Sequence, residues 1–186
     1  MSYMFDLVVI GNGGHSKVVQ SAIESTGIYN PFIVDNDKNF SNERFSDTPM
    51  VLAIGDNNTR EIVYNKLKKP SLIILAKSSV VDKETIIKEG TVILHNAVVQ
   101  RSTVIGKHCI INTNASVDHD CTIGSFVHIA PNATLCGGVT VGNNTLVGAG
   151  AVVIPGVTIG KNCIIGAGTV VLKDVDDNQT IVGRHG

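Results

Sequence analysis

Thr145-Leu146-Val147-Gly148-Ala149-Gly150-Ala151-Val152-Val153-Ile154-Pro155-Gly156-Val157-Thr158-Ile159-Gly160 carries a branched aliphatic residue at every sixth position. The same spacing runs from Val81 to Val171 through Ile87, Ile93, Val99, Ile105, Ile111, Val117, Ile123, Ile129, Leu135, Val141, Val147, Val153, Ile159 and Ile165, sixteen positions without an insertion. A helix repeats its apolar residues three and four apart, and a half-buried strand every second residue; neither has a strict period of six. A fixed short period marks stacked repeats, and a six-residue period belongs to parallel β-helices.

A second row supports this reading. Two residues before each aliphatic position stands a small or β-branched residue, from Ser79, Thr85 and Thr91 through Cys109, Cys121 and Thr145 to Cys163 and Thr169. Residues two apart on a strand share a face, so both rows point inward, the long one filling the interior and the short one relieving crowding between coils. Glycine recurs just after the aliphatic position at Gly106, Gly124, Gly142, Gly148, Gly160 and Gly166, where a sharp bend is expected to need an unusual backbone. Hairpin-linked strands would break this register at each turn.

This pattern resembles the hexapeptide-repeat acyltransferases. The resemblance implies a left-handed parallel β-helix with three short strands per coil, usually trimeric. The hand comes from the resemblance alone, since ordinary parallel crossovers are right-handed.

The formal charge of −1 and pI near 6.6 provide no electrostatic footprint for nucleic acid or an anionic membrane. No apolar run approaches the roughly 18 residues of a membrane span, and Met1-Ser2-Tyr3-Met4-Phe5-Asp6 lacks a basic signal region. Cys109, Cys121, Cys136 and Cys163 form no C-x-x-C pair, and three of them lie in the small inward row, so buried thiols in a reducing cytoplasm are expected.

Residues 5–10 read as a buried strand, followed by Gly11-Asn12-Gly13-Gly14-His15-Ser16 and a helical pattern through Val18, Val19, Ala22 and Ile23 that ends near Gly27. Phe32-Ile33-Val34-Asp35 is a second strand with an acid at its end, which completes a Rossmann-like β-α-β unit. Asn36 to Thr48 reads as a mobile loop, Met50 to Ile54 as a third strand, Thr59 to Lys69 as a polar helix, and Ser71 to Ala76 as a fourth strand leading into the first coil. The division expected is an α/β Rossmann-like domain over residues 1–76 and a β-helix over 77–186. Ser16 stands where a dinucleotide fingerprint has its third glycine, which argues against NAD, while the free N–H groups at the helix start suit a phosphate.

The Gly-x-Gly-Gly-His-Ser loop, Val34-Asp35-Asn36 and Ala53-Ile54-Gly55-Asp56-Asn57 narrow the resemblance. Together with the repeats they are similar to the sugar acetyltransferases related to bacillosamine and perosamine N-acetyltransferases and to sialic acid O-acetyltransferases. The resemblance spans nearly the whole chain. It implies that the N-terminal domain holds a nucleotide-sugar acceptor through Gly13, Gly14, His15, Asp35, Asn36 and Gly55. A second carboxylate is common in the family where this chain has Asn36. The resemblance also implies a β-helix that binds acetyl-CoA as cosubstrate through His128, Gly137, Ala149 and Ala167, in a cleft between copies of a homotrimer. No metal is expected.

His119 lies in Ser116-Val117-Asp118-His119-Asp120-Cys121, two residues past an inward position, at an expected exposed corner. The resemblance implies that His119 is the general base and Asp120 its supporting carboxylate. The chemistry needs these types: a histidine of near-neutral pKa can accept the amine proton and return it to the leaving thiolate. A carboxylate on the other ring nitrogen fixes the tautomer and stabilises the imidazolium. The expected activity is N-acetylation of a nucleotide-linked 4-amino-4,6-dideoxy sugar for surface glycan synthesis, with sugar O-acetylation as the alternative. A zinc hydratase on the same β-helix would need three converging histidines, and the family with that activity pairs two histidines five apart, a spacing this chain lacks. A non-enzymatic scaffold would leave His119, Asp120 and the glycine loop without a role.

Overall fold

A computed structural model describes residues 5–34 and 47–186. Three parallel strands, β1 (Phe5–Ile10), β2 (Tyr29–Val34) and β3 (Met50–Leu52), form a sheet in the order β2-β1-β3. Helix α1 (Gly14–Thr26) joins β1 to β2, and α2 (Asn57–Leu67) follows β3. α1 stops at Gly27, whose left-handed φ of 69° lets its N–H return to the Glu24 carbonyl. α2 starts two residues earlier than its polar pattern suggests, because the Asp56 side chain caps it by accepting from the Thr59 N–H at 2.8 Å. The segment Asn36 to Thr48 lies almost wholly outside the described residues.

The segment expected as a fourth strand spans the change of architecture. Ser71 makes one parallel bridge to Met50 in the small sheet, and β4 (Ile74–Leu75) then becomes the first rung of the solenoid. From there the chain winds a left-handed β-helix of two-residue strands, and those from Val80–Val81 to Val170–Val171 each end on one of the sixteen aliphatic positions. Parallel partners are one coil apart, as Ile110 is from His128. Three sheets result, so the cross-section is a triangle. One face carries β4, Val92–Ile93, Ile110–Ile111, His128–Ile129, Leu146–Val147, Ile164–Ile165 and Thr180–Ile181. A second runs from Val80–Val81 to Arg184–His185, and a third from Ile86–Ile87 to Thr158–Ile159.

The aliphatic row from Ile93 to Val171 and its small partners form one continuous core. The small row also ties coils together. Thr91, Thr103 and Thr145 donate their hydroxyls to the Gly106, Asp118 and Gly160 carbonyls, and each accepts the backbone N–H of the cysteine one coil on, Cys109, Cys121 and Cys163. Those three thiols, all buried, donate in turn to the Gly124, Cys136 and Asp176 carbonyls.

The recurrent glycines have a different cause from the one expected. Gly106, Gly124, Gly142, Gly148, Gly160 and Gly166 do not adopt the left-handed region; instead the next coil passes so close that a Cβ on Gly142 would lie 2.6 Å from the Gly160 carbonyl carbon. The left-handed residue of each turn comes two positions later, at every turn from Gly90 to Gly168, and is Gly, Asn, Ser or Asp except at His108 and Phe126.

The N-terminal domain docks on the first face. Val19, Ala22 and Ile23 of α1 share one core with Leu7 and Val9 and with Val92, Leu94 and Ile110 of the solenoid. Val92 and Ile110 occupy outward positions of the repeat, yet are buried because this domain covers them. Burial of each such side chain is worth about 1.5–3 kcal/mol. On the other side of the sheet, Val63 and Leu67 of α2 pack on Val8, Ile10, Met50 and Leu52. The first face is thus the docked face, and the vertex opposite it is the far vertex.

Candidate active site

The far vertex joins the second face to the third, and His119 and Asp120 form one of its turns. Both are open to solvent, with side chains 61% and 65% exposed. Asp120 takes the left-handed slot (φ 59°), which an Asp tolerates better than a bulkier residue. His119 Nδ1 lies 2.7 Å from Asp120 Oδ2. An ionised carboxylate can only accept, so Nδ1 carries the proton and Nε2 is left with a free lone pair. The bond to Asp120, and next the charge of Asp118, hold the imidazole above its ordinary pKa. Asp118 also accepts from the His119 backbone N–H at 2.8 Å, which fixes the turn. The ring lies over Gly137 of the next coil: a Cβ there would come within 2.7 Å of Nε2, so the glycine keeps the space beneath the lone pair open.

The second group of expected residues gathers at the domain junction. Gly13, Gly14, His15 and Gly55 line a cavity of about 370 Å³ with Ile10, Gly11, Asn12, Ala53, Ile54, Thr59 and Val63. Its floor is the N-terminus of α1, where Gly13 supplies no side-chain cap and the backbone N–H groups are available to an anion. Gly11, at φ 126°, brings its Cα against the Ala53 carbonyl, where a Cβ would lie at 2.7 Å. Asp35 and Asn36 lie outside the described residues.

His15 and His128 meet beside this cavity, with ring centroids 6.1 Å apart. Burial, then the Arg60 charge, lowers His15 to about 4, and its buried Nε2 has no hydrogen-bond partner among the described residues. Burial, then His15 and Arg60, lowers His128 to about 3, against an opposing backbone hydrogen bond at Gly55. His128 Nε2 lies 2.9 Å from Asn112 Nδ2, which makes it the acceptor. Both rings are therefore neutral at neutral pH. A smaller pocket of about 140 Å³ continues down the docked face between Gly55, Asp56, Asn57 and Asn58 on one side and His128, Asn144, Leu146 and Ile164 on the other.

The fold thus separates residues that the sequence reading grouped. His128 is on the docked face, next to His15. His119 and Gly137 are at the opposite vertex. Ala149 and Ala167 are exposed on the vertex between the docked and second faces. Arg60 and Asn112 lie outside every motif of the sequence, although the bulky His108 and Phe126 in turn slots elsewhere held by Gly, Asn, Ser or Asp are a visible irregularity. Among the described residues no three His, Cys, Asp or Glu side chains converge as a metal site requires, and no helix is long and apolar enough to cross a membrane.

Two family descriptions match the chain: Bacterial transferase hexapeptide (six repeats) over residues 102–137 and 138–173, and PglD N-terminal domain over residues 6–67. The acetyltransferase domain of PglB from Neisseria gonorrhoeae is 31% identical, with a TM-score of 0.90 over 96% of this chain and 96% of that one. Its structure in complex with acetyl coenzyme A is similar to this chain at 30% identity and a TM-score of 0.90, with 97% of each chain covered. PerB from Caulobacter crescentus, in complex with CoA and GDP-perosamine, is 34% identical, with a TM-score of 0.90 over 96% of this chain and 94% of that one. No curated protein sequence matches.

Proposed function

The chain belongs to the hexapeptide-repeat sugar acetyltransferases, a family of acyltransferases, and on that premise we propose that it transfers the acetyl group of acetyl-CoA to the amino group of a nucleotide-linked 4-amino-4,6-dideoxy sugar. The observation that carries this reading is the His119–Asp120 pair, with its free Nε2 over Gly137. The amine nitrogen attacks the thioester carbonyl carbon while Nε2 removes its proton, the C–S bond breaks, and the same proton passes to the CoA thiolate. Asp120 stabilises the imidazolium formed in between. The thioester is already activated, so orientation of the two reactants supplies much of the rest and no acyl-enzyme is needed.

The cavity at Gly13, Gly14, His15 and Gly55 is the acceptor site in this reading, with the start of α1 facing phosphate. Its mostly apolar lining suits a deoxy sugar, and the perosamine complex of the similar PerB supports an amino sugar as acceptor. His128, Gly137, Ala149 and Ala167 contact acetyl-CoA. These residues and His119 are distributed around the triangle, so one chain cannot turn the acceptor cavity and its own His119 towards the same substrate. A complete site therefore takes the docked face of one copy and the far vertex of another, as a closed trimer provides.

The test is release of CoA thiol from acetyl-CoA with UDP-, dTDP- and GDP-linked 4-amino-4,6-dideoxy sugars and with free sialic acid. Turnover with an amino sugar is expected. Turnover with a hydroxyl acceptor alone would replace this reading by O-acetylation, and none with any acceptor would overturn the substrate class. For the shared site, inactive Gly14→Arg and His119→Ala chains are mixed after unfolding and refolded together. Recovered activity is expected, and its absence would place each site within one chain.

A further inference from the structure

Arg60 is one of the largest fully buried side chains in the protein, at 1% exposure. Among the described residues its hydrogen bonds all go to neutral acceptors. Nη1 donates to the Ile54 and Gly55 carbonyls at 2.9 and 3.2 Å, Nε to the His108 carbonyl at 2.8 Å, and Nη2 to the Phe126 carbonyl at 3.0 Å and Asn57 Oδ1 at 2.7 Å. Asn57 extends the set to a third coil by donating to the Asn144 and Thr145 carbonyls at 3.1 and 3.2 Å. Burying a guanidinium among carbonyls is a costly way to hold two domains together, since apolar residues of similar volume pack as well or better. What the planar fork adds is geometry, because it fixes several acceptors relative to one another.

The acceptors belong to two different structures. Ile54 and Gly55 are the wall of the cavity at the glycine loop. His108 and Phe126 are the two bulky residues in left-handed turn slots, on successive coils, with rings stacked 5.5 Å apart at 4° and Tyr64 of α2 against both. Gly55 in turn stands against His15, where a Cβ would lie 3.4 Å from the His15 Cβ. One side chain thus connects the cavity wall to the coil that precedes His128 and the coil that carries it.

We propose that Arg60 is the positioning residue of the acceptor site, holding the Ile54–Gly55 wall and His15 in register with the solenoid coils so that a bound acceptor is delivered at a fixed height along the β-helix. This rests on the assignment of that cavity to the acceptor. Arg60 acts through Gly55 and His15 and does not touch the reacting atoms. Its charge has a second effect: the cation faces His15 and His128, and after burial it is among the causes that keep them neutral. Among the described residues the other groups facing them are each other, Asn112, the Gly55 backbone and, across the smaller pocket, Asp56.

The experiment compares the full-length protein with Arg60→Gln, which drops the charge and most of the fork, and Arg60→Lys, which keeps only the charge. For Arg60→Gln the acceptor KM is expected to rise about tenfold or more while the acetyl-CoA KM stays within about twofold, with Arg60→Lys in between. Equal rises in both KM values, or unchanged kinetics, would overturn the proposal. If Arg60→Gln does not fold, Arg60→Lys is judged by the same acceptor-selective rise. A second readout needs no substrate: imidazole NMR titration should find His15 and His128 protonating at higher pH in Arg60→Gln and at wild-type pH in Arg60→Lys. Unchanged titration in Arg60→Gln would overturn the coupling to Arg60. Should the wild-type protein acetylate no acceptor, the functional reading fails, and the titration alone decides for or against Arg60.

Discussion

His119 and His128 are nine residues apart in the solenoid, one in a turn and the other the outward residue of a strand, and their surroundings push them in opposite directions. At the far vertex His119 is open to solvent and its carboxylate neighbours raise its pKa. On the docked face His128 is covered by the N-terminal domain and lowered to about 3. A solenoid presents many outward positions, and what covers a position decides its chemistry. The vertex produces a histidine suited to accept a proton. The junction produces neutral rings that bind, pack and accept hydrogen bonds. The comparison makes three predictions.

The largest effect is acid loss of the junction. His15, His108 and His128 have folded pKa values of about 4, 4 and 3, against an ordinary 6.5. Lowered values mean that the unfolded state binds more protons in that window, so the stabilisation is whole above about 6.5 and is lost as pH falls towards 4 and 3. Each group is worth on the order of 3 kcal/mol across the window. Hydrogen exchange between pH 7 and 4.5 should show α1 and α2 losing protection while the coils beyond Val139 keep theirs. Uniform loss along the chain would break the distinction between the two regions.

The second prediction separates the histidines kinetically. His119→Ala should lower kcat by about 10²–10⁴-fold with KM values nearly unchanged, as for loss of a general base. His128→Ala should act mainly through the acetyl-CoA KM. Equal losses of kcat would mean that both rings serve the proton transfer.

The smallest effect is expected for Asp120→Asn. Asp120 is the largest cause of the raised His119 pKa, so the variant's imidazole deprotonates at lower pH and the rising limb of its pH–rate profile moves to lower pH. The plateau falls about tenfold, because the imidazolium loses its counter-charge. A limb that stays in place would assign it to another group.

How far these features were legible depends on the residues concerned. The sixteen-residue ladder, the inward pair of rows and the exposed corner at His119 could be read directly, since a strict period admits no other register. The reason for Gly106 and Gly142 could not. Only the spacing between coils reveals that the next backbone, and not φ, excludes a side chain there. Thr91, Thr103 and Thr145 read as small spacers, and their hydroxyl bridges between coils became visible with the winding. Arg60 stood in a polar helix as an ordinary surface residue, and its burial depends on contacts 48 and 66 residues further along the chain. His108 and Phe126 did break the turn pattern, and that irregularity marks the docking place of α2.

The sequence alone determined the solenoid, its core and the order of the two architectures, because local periodicity dictates which residues can face inward. Tertiary structure decided where the N-terminal domain sits, which outward residues it buries and which histidines it keeps neutral. It also placed His119 on the vertex opposite the face that the N-terminal domain covers. Those outcomes depend on winding angle and on contacts between distant segments, and no local pattern encodes either.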